Sequence, residues 1–461
     1  MLQERLPLYE YLIATYFFLQ AFQPEKFTFI FSLVGFILVS LTKFYLEGIR
    51  TTYIFALIIQ IQFFFISRIP IRVFLAILMV ILIRLFPLYR YPRTMGKYRV
   101  GYKGFTIPDL TSIGVYYPTT EKTQDVQYSP CPNSSQRFAD GMKFFADLDG
   151  KPTLPKLISK ISFDFLRHQY LGVNKDAKII KAETPDGKFP VIVFSHGLSA
   201  NIHIYSLFLK EWASHGFVVF SIDHEEEIDV QFKKLESHEH HLKLRNKQLQ
   251  VRKNTVSKIL DIVCDPSYIH QIFKSEEVAL NYDKLFLAGH SFGGATAAEL
   301  SIEQEKRITG GLLLLDPWVE ANDENLLFKP VGKPVMVLRS QEFDKRVKNR
   351  RKVKMHSEVN SKAGLCLAGH FKNSMHNSMT DAILFMPGEM VVFGMLNSVK
   401  EVENEVIGQG VLTYSFLETA LEYKERKTDE KSFKKYILEK YRERLSEFRV
   451  KDTFLVDEFE S

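Results

Sequence analysis

Ser291 stands in the stretch "LFLAGHSFGGATAAEL", residues 285–300, with Gly289 and Gly293 two places to either side. A short apolar run leads into it and a helix-forming run leads out. Gly-x-Ser-x-Gly at such a junction is the pattern of a nucleophile elbow, in which the serine sits on a tight strained turn and the glycines let strand and helix approach. The chemistry it serves is attack of a hydroxyl on a carbonyl carbon. The amide of Phe292, at the start of the helix, is placed to hold the oxyanion that develops.

A serine hydroxyl needs a base, and the base needs a carboxylate to orient it. In chains with this elbow the order is serine, then acid, then histidine. Asp316 closes the next apolar run, "GGLLLLDPW" (310–318), where a carboxylate after four leucines is costly to bury without a partner. Two histidines follow, His370 and His376, in "LAGHFKNSMHNSMTD" (367–381), and either can reach Ser291 from a loop. The second oxyanion amide is expected from "SHGLSANIHIYS" (195–206), at Leu198, after the turn that Gly197 permits. His238, Glu239, His240 and His241 look like a metal cluster, but Leu242 stands where a zincin needs its second histidine. That run reads as a solvated helical face, and the chemistry requires no metal and no organic cofactor.

These residues must be positioned by strands and helices in alternation. Strands are predicted at 114–119, 190–197, 216–224, 284–291, 310–318 and 333–340, and helices near 203–215, 245–262, 293–303 and 377–397. Continuous apolar strands between helices mean a mostly parallel sheet covered on both faces, with ligands bound beyond the carboxyl ends of the strands. The predicted class is therefore α/β, with the catalytic domain at residues 100–400. The charged stretch after it, 401–461, is expected to be a helical extension with no assigned function. Residues 345–354, "KRVKNRRKVK", hold seven basic residues in ten and read as a loop, either solvated or binding lipid phosphates.

The chain has 461 residues, enough for more than one unit, with 46% apolar and 25% charged residues. A net charge of +6 is too small for a nucleic-acid-binding profile. Three cysteines, Cys131, Cys264 and Cys366, make no CxxC pair and fit a reducing compartment. Four apolar segments, 6–22, 27–46, 51–67 and 69–88, predict a transmembrane bundle over residues 1–90. Counting Lys and Arg at their ends then places everything after residue 90 in the cytoplasm. The expectation is a multi-pass membrane protein.

The blocks "FPVIVFSHGLSA", "WASHGFVVFSIDH", "LRNKQLQVR", "AGHSFGGATAAEL" and "LLLLDPW" occur in an order that resembles the platelet-activating factor acetylhydrolase family. These are calcium-independent α/β-hydrolases acting on short or oxidised sn-2 acyl chains of phospholipids. The resemblance covers residues 100–400. It implies Ser291 as nucleophile, Asp316 in Asp-x-Trp with Trp318 as acid, and Leu198 and Phe292 as oxyanion amides. It implies His376 as base, since Asp381 follows five residues later, with His370 in reserve. Residues 154–172, "LPKLISKISFDFLRHQYLG", match in position the family's lipid-docking helix, with Leu157, Ile158, Ile161 and Phe165 on one face. The family's animal members are secreted or lipid-modified, whereas a bundle of its own is expected here. The same residues would serve a lipid acyltransferase or a neutral-lipid or carboxyl esterase, and a silent membrane lipid-binding protein on this fold is the non-enzymatic alternative.

Overall fold

The structure is a computed structural model describing residues 7–22, 26–47, 51–127 (apart from 67, 88 and 109), 169–224, 238–362, 366–385, 401–426 and 430–457. The expected docking helix, with Leu157, Ile158, Ile161 and Phe165, lies outside the described residues, as does Cys131. Its architecture is α/β: one eleven-stranded, mostly parallel sheet with helices packed on it. The strands are β1 (Arg99–Ile107), β2 (Thr111–Thr119), β3 (Asp125–Gln127), β4 (Tyr170–Lys175), β5 (Phe189–Ser195) and β6 (Val218–Ile222). They continue as β7 (Leu280–His290), β8 (Gly311–Leu315), β9 (Val335–Ser340), β10 (Cys366–Phe371) and β11 (Phe454–Val456). Their order across the sheet is β11-β10-β9-β8-β7-β5-β6-β2-β1-β4-β3.

The parallel centre follows from composition. In β5, β6, β8 and β9 every residue is buried, so these strands need cover on both faces and crossovers between them. Register then sets the chemistry. Ser195 lies opposite Gly289, and His290 opposite Leu315, so β5, β7 and β8 end together at one edge. The strands missed from the sequence are β1, β3, β4, β10 and β11; β10, which carries His370, runs parallel to β9, and β11 closes its far side antiparallel.

Four helices precede the sheet: α1 (Leu8–Phe22), α2 (Lys26–Glu47), α3 (Thr51–Phe65) and α4 (Ile69–Leu85). Here the expectation of a transmembrane bundle is overturned: no helix among the described residues is long and apolar enough to cross a membrane. Helices α1 and α3 have 15 residues and α4 has 17. At about 1.5 Å per residue these fall short of a hydrocarbon core about 30 Å thick. The longer α2 has 22 residues but includes Lys26, Lys43 and Glu47. The multi-pass localisation, and the cytoplasmic assignment that rested on it, go with the spans. The helices bury an apolar cluster of their own, around Phe17, Phe36, Phe63 and Met79. Glu10 is buried there and accepts from Thr52 at 3.2 Å, while Arg72 donates to the carbonyls of Phe63 and Ile66 at the end of α3.

Within and beyond the sheet lie α5 (Ser206–Ser214), α6 (His238–Val263), α7 (Pro266–Phe273), α8 (Phe292–Glu303), α9 (Val347–Lys362), α10 (Val402–Arg426) and α11 (Glu430–Glu447). Helix α6 contains the His238–His241 run, but its face is not simply solvated. His241 is buried beside Trp318 and accepts from the fully buried Arg245 at 3.1 Å. The basic segment 345–354 is not a loop either, since most of it forms α9. Helices α10 and α11 share the core on one face of the sheet, where Trp212 of α5 donates to Thr413 at 3.1 Å. Of the helix expected at 377–397, the structure describes a 3-10 turn, His376–Met379, and a short helical turn, Ala382–Phe385; residues 386–397 lie outside the described ones.

Glu405 of α10 is buried, and desolvation pushes its carboxyl up from 4.5 to about 8. The folded form then binds a proton that the unfolded chain has released, so this group's contribution to stability is full below about 4.5 and lost as pH rises through about 8. Glu405→Gln should flatten that decline. Melting temperatures of both proteins from pH 4.5 to 8.5 check it: the variant's advantage should grow towards the alkaline end.

Candidate active site

At the end of β7 the backbone turns sharply, leaving Ser291 at φ 55° and ψ −119°. A non-glycine residue held there costs on the order of 1–3 kcal/mol, so its surroundings must enforce it. Two glycines allow the packing. A Cβ on Gly289 would collide with the carbonyl of Gly293, and one on Gly293 with the carbonyls of Ser195 and His196. Strand β7, helix α8 and the turn after β5 therefore meet backbone to backbone.

Asp316 follows β8 at φ 45° and is fully buried. Its Oδ1 accepts the Ser340 amide at 2.9 Å, and its Oδ2 accepts the Ser340 hydroxyl at 2.5 Å. The same Oδ2 lies 2.7 Å from His376 Nδ1. His376 Nε2 is 2.9 Å from Ser291 Oγ. The imidazole stacks on Phe343, centroids 4.1 Å apart, and its backbone amide donates to Glu342 at 2.9 Å. The structure thus brings Ser291, Asp316 and His376 together. His370 is not with them: it points from β10 towards Arg339, Asp344 and Asp457, and burial lowers its pKa.

Leu198 and Phe292, the two expected oxyanion amides, lie on segments in direct contact, since a Cβ on Gly197 would sit 3.3 Å from that of Ser291. Residues that sequence reasoning passed over hold these segments. The Gly197 amide donates to the Tyr205 hydroxyl at 3.1 Å. Tyr205 Oη lies 2.9 Å from His290 Nδ1, and His290 Nε2 lies 3.2 Å from the His376 carbonyl. A carbonyl can only accept, so Nε2 carries the proton and Nδ1 accepts from Tyr205. Burial and the nearby His376 hold the His290 pKa well below its ordinary value, which keeps that neutral tautomer. One chain of hydrogen bonds therefore ties the Gly197 turn, the elbow and the histidine turn.

Beneath it, His196 is fully buried between Asp223 (3.1 Å) and the Gly197 carbonyl (2.7 Å). Arg252 of α6, also fully buried, donates to the His196 carbonyl at 2.6 Å and lies 4.8 Å from the Phe292 ring centroid. It spans the two segments that carry Leu198 and Phe292. Its place in "LRNKQLQVR" was the only sequence signal. His290, Asp316 and His376 are the one group of side chains among the described residues close enough to share a metal ion. Their nitrogens already face hydrogen-bond partners: Ser291 and Asp316 for His376, Tyr205 and a carbonyl for His290.

The family described as platelet-activating factor acetylhydrolase, isoform II, matches residues 84–230 and 224–435. The chain belongs to that family. By that membership it is a carboxylic ester hydrolase. Among curated relatives, the platelet-activating factor acetylhydrolase of Canis lupus familiaris is 26% identical over 334 residues, 66% of this chain and 70% of that protein. The Gallus gallus protein of the same name is 26% identical over 350 residues, 66% and 76% of the two chains. A solved ferulic acid esterase from Streptomyces cinnamoneus aligns over 71% of this chain and 91% of its own, at 16% identity and a TM-score of 0.47.

Tyr205→Phe removes the hydroxyl that joins the elbow to the Gly197 turn, leaving a buried amide and a buried imidazole nitrogen unpartnered. The expected result is a folded protein whose esterase kcat falls about ten-fold or more with KM little changed. Steady-state kinetics on a soluble ester, beside a melting curve, measure both parts.

Proposed function

We propose that the protein is a serine esterase of the α/β-hydrolase fold that cleaves acyl esters of phospholipids through Ser291, His376 and Asp316. The observation that carries this reading is the position of His376, whose two ring nitrogens lie 2.9 Å from Ser291 Oγ and 2.7 Å from Asp316 Oδ2. With Nδ1–H held by the carboxylate, Nε2 is left with its lone pair towards the hydroxyl. His376 takes the serine proton as Oγ bonds to the ester carbonyl carbon, and the carbonyl oxygen becomes an oxyanion facing the amides of Leu198 and Phe292. The imidazolium returns its proton to the departing alcohol oxygen, leaving an acyl-serine. Water then gives a proton to Nε2 as its oxygen attacks the acyl carbon; the Oγ–acyl bond breaks, the imidazolium returns its proton to Ser291 Oγ, and the carboxylic acid leaves.

Family membership supports the ester class. The relatives' name, platelet-activating factor acetylhydrolase, supports a phospholipid substrate, and the family resemblance supports a short or oxidised sn-2 acyl chain. No step draws on a metal or an organic cofactor.

Ser291→Ala should fold and lose hydrolysis, because no other hydroxyl takes part. Incubating both proteins with a fluorophosphonate probe and with a phospholipid panel, followed by mass analysis, tests nucleophile and substrate together. Labelling of the alanine variant would move the nucleophile elsewhere; inert phospholipids beside a cleaved neutral ester would move the substrate class.

The choice of base has its own experiment. Removing a general base costs about 10²-fold or more, and far more where triad members act as a unit. His376→Ala should lower kcat by several orders of magnitude, and His370→Ala by less than ten-fold. The opposite ranking assigns the base to His370.

A further inference from the structure

A cavity of about 620 Å³ opens on one side of the histidine turn, well inside the usual range of about 300–1,000 Å³ for small-ligand sites. Its walls come from the segment after α4, from α5, from α10 and from Ser378 of the 3-10 turn that starts at His376. Phe208 and Ile407 belong to its apolar part, with Leu207, Val406 and Phe448. The polar part is one-sided. Arg90 and Arg93 line the cavity, are exposed, and pair with no carboxylate among the described residues. The acid on the same wall, Glu211, is already engaged by His215 at 2.8 Å and by the Met95 amide. Gln409 is only 2% exposed, and its Nε2 has no hydrogen-bond acceptor among the described residues. A buried amide donor without a partner is destabilising, and a ligand oxygen removes that cost.

We propose that this cavity is a second binding site, for an amphiphilic anion: a carboxylate or phosphate held by Arg90, Arg93 and the Gln409 amide, with an alkyl chain against Phe208 and Ile407. Guanidinium groups favour both head groups, and two cations against the one carboxylate of Glu211 disfavour cationic heads. The site stands apart from Ser291 and does not depend on the hydrolytic reading. Its shared wall with the His376 turn puts the occupant beside the catalytic edge.

The test uses the full-length Ser291→Ala protein, so that no probe is consumed, with titration calorimetry at low salt and below the micelle concentration of each probe. Decanoate and decyl phosphate should bind at least ten-fold more tightly than decyltrimethylammonium, and inorganic phosphate should bind far more weakly than decyl phosphate. Arg90→Gln with Arg93→Gln should remove at least ten-fold of the affinity for both anions, and Gln409→Met should weaken them in a protein with an unchanged melting temperature. The fluorescence of Trp212, whose ring centroid lies 5.8 Å from that of Phe208, should respond to decanoate in the parent and not in the arginine variant. Equal binding of the cationic probe, unchanged affinity in the arginine variant, or inorganic phosphate binding as tightly as decyl phosphate would each overturn the proposal. Displacement of decanoate by a fluorophosphonate bound to wild-type Ser291 would also overturn it, by placing the ligand in the acyl site. Turnover does not enter these readings, so a failure of the esterase proposal is seen separately.

Discussion

Everything at the catalytic edge depends on the absence of two Cβ atoms. Gly289 faces the carbonyl of Gly293, and Gly293 faces the carbonyls of Ser195 and His196. A methyl group at either place would push α8 away from the sheet, and Ser291 would lose the surroundings that hold it at a positive φ. The strain at Ser291 is therefore sustained by close packing of three backbone segments. That same contact brings the amide of Phe292, at the start of α8, beside the turn that carries Leu198. Position of Ser291 and position of the candidate oxyanion amides are one constraint, because they share a backbone contact.

Burying charge at this edge requires partners, and the strand order provides them. Asp316 leaves β8 next to the end of β9, so Ser340 offers it both an amide and a hydroxyl. His376 occupies the remaining direction. Helix α9 secures the same acid turn from below: Asn349 accepts from the Val319 amide at 2.8 Å and donates to the Pro317 carbonyl at 2.9 Å. The His290 chain solves a related problem with a neutral group. A protonated imidazole in that buried place would be costly and would repel a protonated His376, whereas the neutral tautomer both donates and accepts.

The centre of the sheet and the trio at its edge were legible because each leaves a local signature. Runs such as "LLLL" before Asp316 permit only a strand buried on both faces, and glycines around Ser291 mark close backbone approach. Short β3, β4 and β11 carry no such signature, since three to six residues pair only because distant partners reach them. Helix α9 was misread for a more instructive reason. Its buried stripe is Asn349, Val353, His356, Ser357 and Asn360, spaced for a helix but mostly polar, so apolar periodicity does not reveal it. His356 donates to the Leu327 carbonyl and Asn360 accepts from the Val331 amide, which shows why polar residues line that face: they hold loops. The Tyr205–His290 chain was invisible for want of geometry, because a histidine's tautomer is set by neighbours far away in sequence.

The amino-terminal helices depart from expectation for a different reason. Apolar content was read as span length, but a helix ends where its geometry ends, and α1, α3 and α4 stop after 15 to 17 residues. Only α2 has the length, at 22 residues, and it includes Lys26, Lys43 and Glu47. The stretch between α4 and the sheet bears more directly on the chemistry. Tyr91, six residues beyond α4, donates to Asp381 at 2.6 Å, and Asp381 in turn accepts the amides of Ser206 and Leu207 at the start of α5. The aspartate five residues after His376 thus ties the histidine turn to α5, and the incoming chain is pinned to the same carboxylate. The basic segment at Arg90 and Arg93 is therefore held next to the catalytic edge by a contact that the active-site architecture itself requires.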